Sequence, residues 1–500
     1  SRVGSLLRWG QPKSPAKGAA AADAEPGPDP EPPVIVGRQV YNPVGKMHLL
    51  TAHRDIVRHL CRVSPTRFAS ASDDHCVIVW DTTDHRKKFE LHGHMMPVTS
   101  MLVTRRPGHD GDVLLTGSID RSVRVWDLAS AKCLDTWKCP KGGSIKTLAD
   151  LRGGLVCSGG HQLCVWSVAD GRLACQIEWD EAYDTDIREI IAMDNGNSII
   201  AACDDKQLLA YRVRRRGGMA GAVEMVPMKT LAGHREPVRT LHKVSEHLFA
   251  SGSLDGSVCV WDVVTLDLVR VLNYHEAYVL RDDDMHSLVY SVQHVATTKD
   301  WLVVATGSGF AVFSVSSGKA VATQRAAHSA PVTRLLPFTD GDQLCVVTAS
   351  ADATVKIWDI SSCCTAGDGA HDGPGAAGAA APAPSRIVEL ARKMAPGSPG
   401  RSRRAIGPRL IGHLYGHTMA INDIIAVDGN GFVTCSSDRT VISWRNAVHE
   451  WHRLNDAAAD AMDHFFPEER VRTPPAGASV KGAPASPAEP FTPTKHYESV

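Results

Sequence analysis

This 500-residue sequence lacks a charge imbalance, a long apolar run and a paired-cysteine pattern, and each lack removes a class of function. Its 54 Lys and Arg residues balance 55 Asp and Glu, for a net charge of −1. Nucleic-acid binding relies on a concentrated positive surface, so none is expected. No apolar stretch makes a transmembrane segment, and the amino end has no secretory signal. Ser1 is not an initiator methionine, so the natural start is expected to lie upstream or to have been processed. The thirteen cysteines never take Cys-x-x-Cys spacing, and many sit inside β-branched runs (Cys76, Cys164, Cys203, Cys259, Cys345). That usage suits reduced thiols in the cytosol better than a disulfide framework or a zinc site.

Aromatic residues are scarce, at 6%, which makes their placement informative. One closes a short β-branched run at Trp80, Trp126, Trp166, Tyr211, Trp261, Phe313, Trp358 and Trp444, at intervals of 40 to 52 residues and finally 86. Five of the eight repeats share four residues. An aspartate lies six positions before the tryptophan, at Asp74, Asp120, Asp255, Asp352 and Asp438. A hydroxyl lies four positions before that, at Ser70, Thr116, Ser251, Thr348 and Thr434. A histidine opens each repeat, at His53, His94, His234, His328 and His417. A 40 to 50 residue period ending in Trp-Asp is the signature of a WD40 β-propeller, in which each repeat folds as a four-stranded blade. The chain is therefore expected to be an all-β, eight-bladed propeller spanning residues 46–446.

The spacing has a chemical reading. The aspartate belongs in the turn between the second and third strands, where backbone N–H groups and the histidine hold its charge. The histidine reaches the hydroxyl, which accepts from the indole N–H that a buried tryptophan must satisfy. Ser or Thr with His and Asp also resembles a catalytic triad, but five copies in five blades read as structural staples. No catalytic residue, metal or cofactor is expected. The repeats ending at Trp166, Tyr211 and Phe313 break the pattern, with Gly160 and Val156, Ala201, and Gly307 and Val303 at the matching positions. Those blades are expected to be held by packing. Met47-His48-Leu49-Leu50 stands before His53 where other repeats carry an outer strand, with no earlier blade to join. It is expected to close the ring on the last blade, whose other strands end near Trp444.

Other parts fall outside the ring. Residues 1–45 read as a flexible segment rich in Ala, Pro and Gly, with Leu7 and Trp9 near its start as partner-binding candidates. A loop at 361–409 enters blade 7, and its second half is basic and weakly amphipathic. After the last blade, Val448, Trp451, Leu454, Ala458, Met462 and Phe465 recur on one helical face, so 447–467 is expected to be an amphipathic helix ended by Pro467. Trp451, Leu454, Met462, Phe465 and Phe466 would be its anchors for a partner. Residues 468–500 read as a Pro-rich disordered tail.

Several stretches are specific beyond the generic repeat. Ala52-His53-Arg54-Asp55-Ile56-Val57-Arg58 with Arg67-Phe68-Ala69-Ser70-Ala71, Ser158-Gly159-Gly160 with Leu163-Cys164-Val165-Trp166, and Leu410-Ile411-Gly412 with Val433-Thr434-Cys435-Ser436 resemble blades of the WD repeat-containing protein 41 family. Leu7-Arg8-Trp9 is similar to that family's amino-terminal start. The resemblance implies a non-catalytic subunit of a cytoplasmic complex with two DENN-domain proteins, one encoded by chromosome 9 open reading frame 72. It further implies roles in autophagy and lysosomal nutrient signalling. Small-GTPase activity would come from the DENN subunits, and docking to lysosomes from a cationic amino-acid transporter. The first and last blades with helix 447–467 would face the larger DENN subunit. A cullin-ligase substrate receptor is the alternative binding module. It is disfavoured because Thr83, Ala129, Val264 and Ser361 stand where such receptors often place arginine two positions past the Trp-Asp aspartate.

Overall fold

In the computed structural model, the described residues are 44, 46–140, 143–177, 185–215, 223–273, 290–340, 343–367, 407–427 and 431–445. They form eight four-stranded antiparallel sheets. Blade 1 runs outward from the channel through Val57–Ser64, Arg67–Ser72, Val77–Asp81 and Lys87–Leu91. The next six blades repeat that order. Burial follows position within the blade. The second and third strands are covered on both faces, so Val77-Ile78-Val79-Trp80 and Leu344-Cys345-Val346-Val347 read as continuous apolar runs rather than alternating ones. The outermost strand faces water, and Lys87–Leu91 begins with two exposed lysines.

The eighth blade is built from both ends of the ring. Lys46–Thr51 pairs antiparallel with Thr440–Arg445, setting Met47 opposite Trp444 and Leu50 opposite Val441. Leu50 then joins Val57, Leu60, Phe68 and Trp80 of blade 1 and Val433 and Val441 of blade 8 in one buried cluster. The expected eight-bladed ring closed by its first strand is therefore what the fold shows.

Two local devices recur around the ring. In six blades the residue after the turn aspartate has a left-handed backbone: His75, Arg121, Lys206, Gly256, Ala353 and Arg439, with φ from 67° to 79°. Five of these are not glycine. The preceding aspartate steadies the turn by accepting from the amide two residues on, as Asp74 Oδ1 does from Cys76 N at 3.0 Å. The second device is a bulge in all eight innermost strands, as between Val57 and His59 or between Ile421 and Asp423. A bulge re-aims the side chains around it, and here those side chains line the channel.

The segment expected to begin the long loop of blade 7 starts instead as a short helix, Ser361–Gly367. Cys363 and Cys364 anchor it in the core shared by blades 6 and 7, beside Ala322 and Ala327. The loop residues 368–406, the amino-terminal segment through Pro43, the expected helix 447–467 and the tail lie outside the described residues, and Arg409, expected to end the loop, opens the strand Arg409–Tyr415.

Candidate functional site

The five tetrads assemble with little variation. His53 places Nδ1 2.9 Å from Asp74 and Nε2 2.7 Å from Ser70 Oγ, which accepts from Trp80 Nε1 at 2.8 Å. His94 stands 2.7 Å from both Asp120 and Thr116, and the Trp126 indole donates to Thr116 at 2.9 Å. His328 joins Asp352 and Thr348 at 3.0 and 2.7 Å, with Trp358 donating at 3.1 Å. His417 joins Asp438 and Thr434 at 3.0 and 2.8 Å, with Trp444 donating at 2.8 Å. The blade 5 tetrad is looser. His234 keeps Ser251 at 2.7 Å and Trp261 donates to Ser251 at 2.8 Å, but Asp255 lies 3.6 Å away and Ser257 intervenes at 3.0 Å.

These bonds fit a neutral imidazole that donates to the aspartate and accepts from the hydroxyl. Burial lowers the His94 pKa and takes that of His328 down to about 4. Burial alone would raise the Asp74 carboxyl, but bonds from His53 and the Arg54 and Cys76 amides outweigh it and hold the pKa at about 2. Ser70, Thr116, Ser251, Thr348 and Thr434 are all 0% exposed. A nucleophile must meet its substrate, so the tetrads are staples between strands.

Blade 3 keeps part of the network, which corrects the sequence reading. Counting ten back from Trp166 reaches Val156, yet its hairpin is two residues shorter than that of blade 1, and Ser158 takes the hydroxyl's place opposite Cys164. Trp166 Nε1 donates to Ser158 Oγ at 2.8 Å. In blades 4 and 6, Ala201 and Val304 hold the equivalent position, opposite Leu209 and Ala311. Those two blades have no hydroxyl there to receive an indole-type donor.

The channel carries functional groups that sequence reasoning missed. A cavity of about 320 Å³ is lined by His59, Glu189, Arg239, His294 and Arg334 among others. One position in the innermost strand repeatedly reaches the next blade's backbone. Asp423 accepts from Leu60 N at 3.0 Å, Glu189 from Leu241 N at 2.7 Å, and His294 from Leu335 N at 3.3 Å. The residue before it can donate across the same gap, as Thr333 does to Ile421 O and Asn422 to Val57 O, both at 2.7 Å. Arg334 closes on Asp423 at 3.2 Å. The position recurs in the sequence, since His59, Ser100, Thr240, Arg334 and Asp423 each lie six residues after an opening histidine, but which of them bonds to the next blade does not follow from that spacing. Asp423, Glu189, His294 and Arg334, with Thr333 and Asn422, join blades around the channel.

Exposed apolar side chains gather at three places. On the closing strand, Met47 and Leu49 are 50% and 53% exposed. Gly416 leaves room for Met47 Sδ, 3.0 Å from where a Cβ would stand, with exposed Tyr415 and Met419 nearby in the chain. Met95, Met96 and Ile119 form a second exposed group around the blade 2 tetrad. Val264, Leu268, Val269 and Val271 form a third on the outer hairpin of blade 5. Leu7, Trp9, Trp451, Leu454, Met462, Phe465 and Phe466 lie outside the described residues. No helix among the described residues is long and apolar enough to cross a membrane.

Comparison with known proteins agrees with this architecture. The WDR41 β-propeller family matches residues 33–454. The chain is 26% identical to human WD repeat-containing protein 41 over 432 residues, covering 82% of this chain and 89% of that one. The mouse protein of the same name is 25% identical over 433 residues, with the same coverage. Among solved structures, the computationally designed Ika8 protein aligns with a TM-score of 0.57 at 19% identity, over 79% of this chain and 98% of that one, a likeness of fold alone. With eight closed blades and a family match across the whole ring, this chain belongs to the WDR41 β-propeller family.

Proposed function

We propose that this chain is a non-catalytic scaffold subunit whose ring-closing seam holds the larger DENN-domain protein of a three-part complex. The second DENN-domain protein, the one encoded by chromosome 9 open reading frame 72, joins through the first. The observation that carries this reading is the edge of blade 8. An outermost strand presents unpaired backbone groups, and soluble proteins commonly guard such edges with charge. Blade 1 does so with Lys87 and Lys88, whereas the closing strand follows its single exposed lysine, Lys46, with exposed Met47 and Leu49. Arg445, the last described residue before the apolar positions of 447–467, pairs with Lys46 at this seam. Family membership supports the partner class. In this reading the DENN subunits supply the small-GTPase chemistry of autophagy and lysosomal nutrient signalling. The ring positions them at the lysosomal surface through a cationic amino-acid transporter.

Co-purification of the tagged full chain from cells, read by mass spectrometry, tests the reading. The wild type is expected to recover two DENN-domain proteins, and Met47→Glu with Leu49→Glu is expected to lose them while unfolding at an unchanged temperature. Recovery of both partners by the double variant would move the interface elsewhere. Failure of the wild type to recover either would overturn the scaffold reading.

A further inference from the structure

Blade 1 departs from the other tetrad blades at one position. Two residues after the turn aspartate, the others carry a hydroxyl: Ser122, Ser257, Thr354 and Thr440. Each donates back to its aspartate at 2.6 to 2.7 Å. Blade 1 has Cys76 there, and its thiol turns away from Asp74 toward the outer strand. Cys76 Sγ lies 3.0 Å from His92 Nδ1, and His92 Nε2 lies 3.3 Å from Glu90 Oε1. Among the described residues, these three are the group of His, Cys and acidic side chains whose donor atoms converge, all within 4.8 Å of one another.

The register explains the convergence. Val77 pairs with Leu91 and Ile78 with Glu90, so Cys76 and His92 are the next opposed pair in the ladder. Side chains alternate faces along a strand, and Val77 and Leu91 point into the core at 1% and 3% exposure. Cys76, Glu90 and His92 therefore share the opposite face, where directly opposed side chains are close enough to bind one ligand. In the other tetrad blades the residue opposite the hydroxyl is Lys138, Asn273, Tyr415 or Thr51, which offers no soft or borderline donor set.

We propose that Cys76, Glu90 and His92 form a binding site for a divalent cation of the zinc class on the outer hairpin of blade 1. Thiolate sulfur, imidazole nitrogen and carboxylate oxygen are the ligand types zinc takes, and three protein ligands leave a fourth position for water. Tetrahedral bonds of about 2.3 Å to sulfur and 2.0–2.1 Å to nitrogen separate those atoms by about 3.6 Å, so Cys76 and His92 need open by well under an ångström. Lys87 holds Glu90 Oε2 at 2.6 Å and Oε1 lies beside His92 Nε2, so an ion held by Cys76 and His92 Nδ1 takes the carboxylate only once Oε1 swings to that side of the ring, from within the 4.8 Å that spans the three donor atoms. Binding would release the thiol proton to solvent. The His92 side chain is 64% exposed, so the ion can enter and leave from solution. Cys76 lies two residues after Asp74 and His92 two residues before His94, so a bound ion would tie the turn of one tetrad to the segment that delivers the next.

Titration of the full, metal-stripped chain with zinc against a chromophoric chelator, and with cobalt as a spectroscopic stand-in, tests the site. One equivalent is expected to bind, with a thiolate-to-cobalt charge-transfer band and a raised unfolding temperature. Cys76→Ser restores the hydroxyl of the other blades and is expected to fold, to lose the band, and to weaken zinc by more than the ~10–100-fold typical of an outer-shell change. His92→Asn, which leaves the turn untouched, is expected to weaken zinc to a similar degree. A wild type without the cobalt band, a band that survives in Cys76→Ser, or zinc affinity unchanged in His92→Asn would overturn the assignment and leave a hydrogen-bonded Cys–His pair.

Discussion

Glu189 shows how a single side chain can serve the ring at a pH-dependent cost. Its carboxyl accepts from Leu241 N in the neighbouring blade at 2.7 Å, and burial pushes its pKa up from 4.5 to about 7. Between those values the folded chain keeps a proton that the unfolded chain has lost, so this group's contribution to stability falls as pH rises through the window. Glu189→Gln keeps an acceptor oxygen for Leu241 and does not titrate. Denaturant unfolding at pH 5 and pH 8 is expected to show the variant gaining on the wild type at the higher pH, by on the order of 2 kcal/mol. An equal offset at both pH values would mean that Glu189 keeps its ordinary pKa. At this scale the five tetrads were legible in the sequence, because the five-residue turn from Ser72 to Cys76 and its counterparts fix the spacing from hydroxyl to tryptophan. Ser158 was not legible, because a turn two residues shorter shifts it out of frame. The Cys76 site was hidden as well, since its ligands meet only when two strands take register.

At the scale of the element, the closing strand divides its work between two faces. Leu50 is 5% exposed within the shared core of blades 1 and 8, while Leu49 beside it is 53% exposed. Leu50→Ala removes buried methyl groups and is expected to cost about 2–4 kcal/mol. Leu49→Ala is expected to stay within about 0.5 kcal/mol of the wild type. Thermal and denaturant unfolding of the two variants check this, and equal costs would contradict the alternation. The strand was legible because Met47 to Leu50 sit where every other repeat carries an outer strand. Helix Ser361–Gly367 was not, since its run of Ser, Cys and Thr gives no helical period, and its place depends on Cys363 and Cys364 meeting the core.

For the whole molecule, closure rests on more than one strand pairing. The Lys46–Thr51 ladder joins the first and last strands of the ring. The cluster around Leu50 and Trp80 packs blade 8 on blade 1. Asp423 and Asn422 bond to Leu60 and Val57 across the channel side of the same seam, and Arg445 donates to the Thr82 carbonyl. The ring and its blade count were legible from periodicity, because each repeat buries its faces only against its neighbours. The links lining the channel were not, because each needs a backbone partner in the next blade. Amide hydrogen exchange on the intact protein tests closure most directly. Lys46–Thr51 and Thr440–Arg445 are expected to exchange slowly and together, at least as slowly as the outer strand Lys87–Leu91. Exchange of Lys46–Thr51 at the rate of unstructured chain would contradict a ring closed by its first strand.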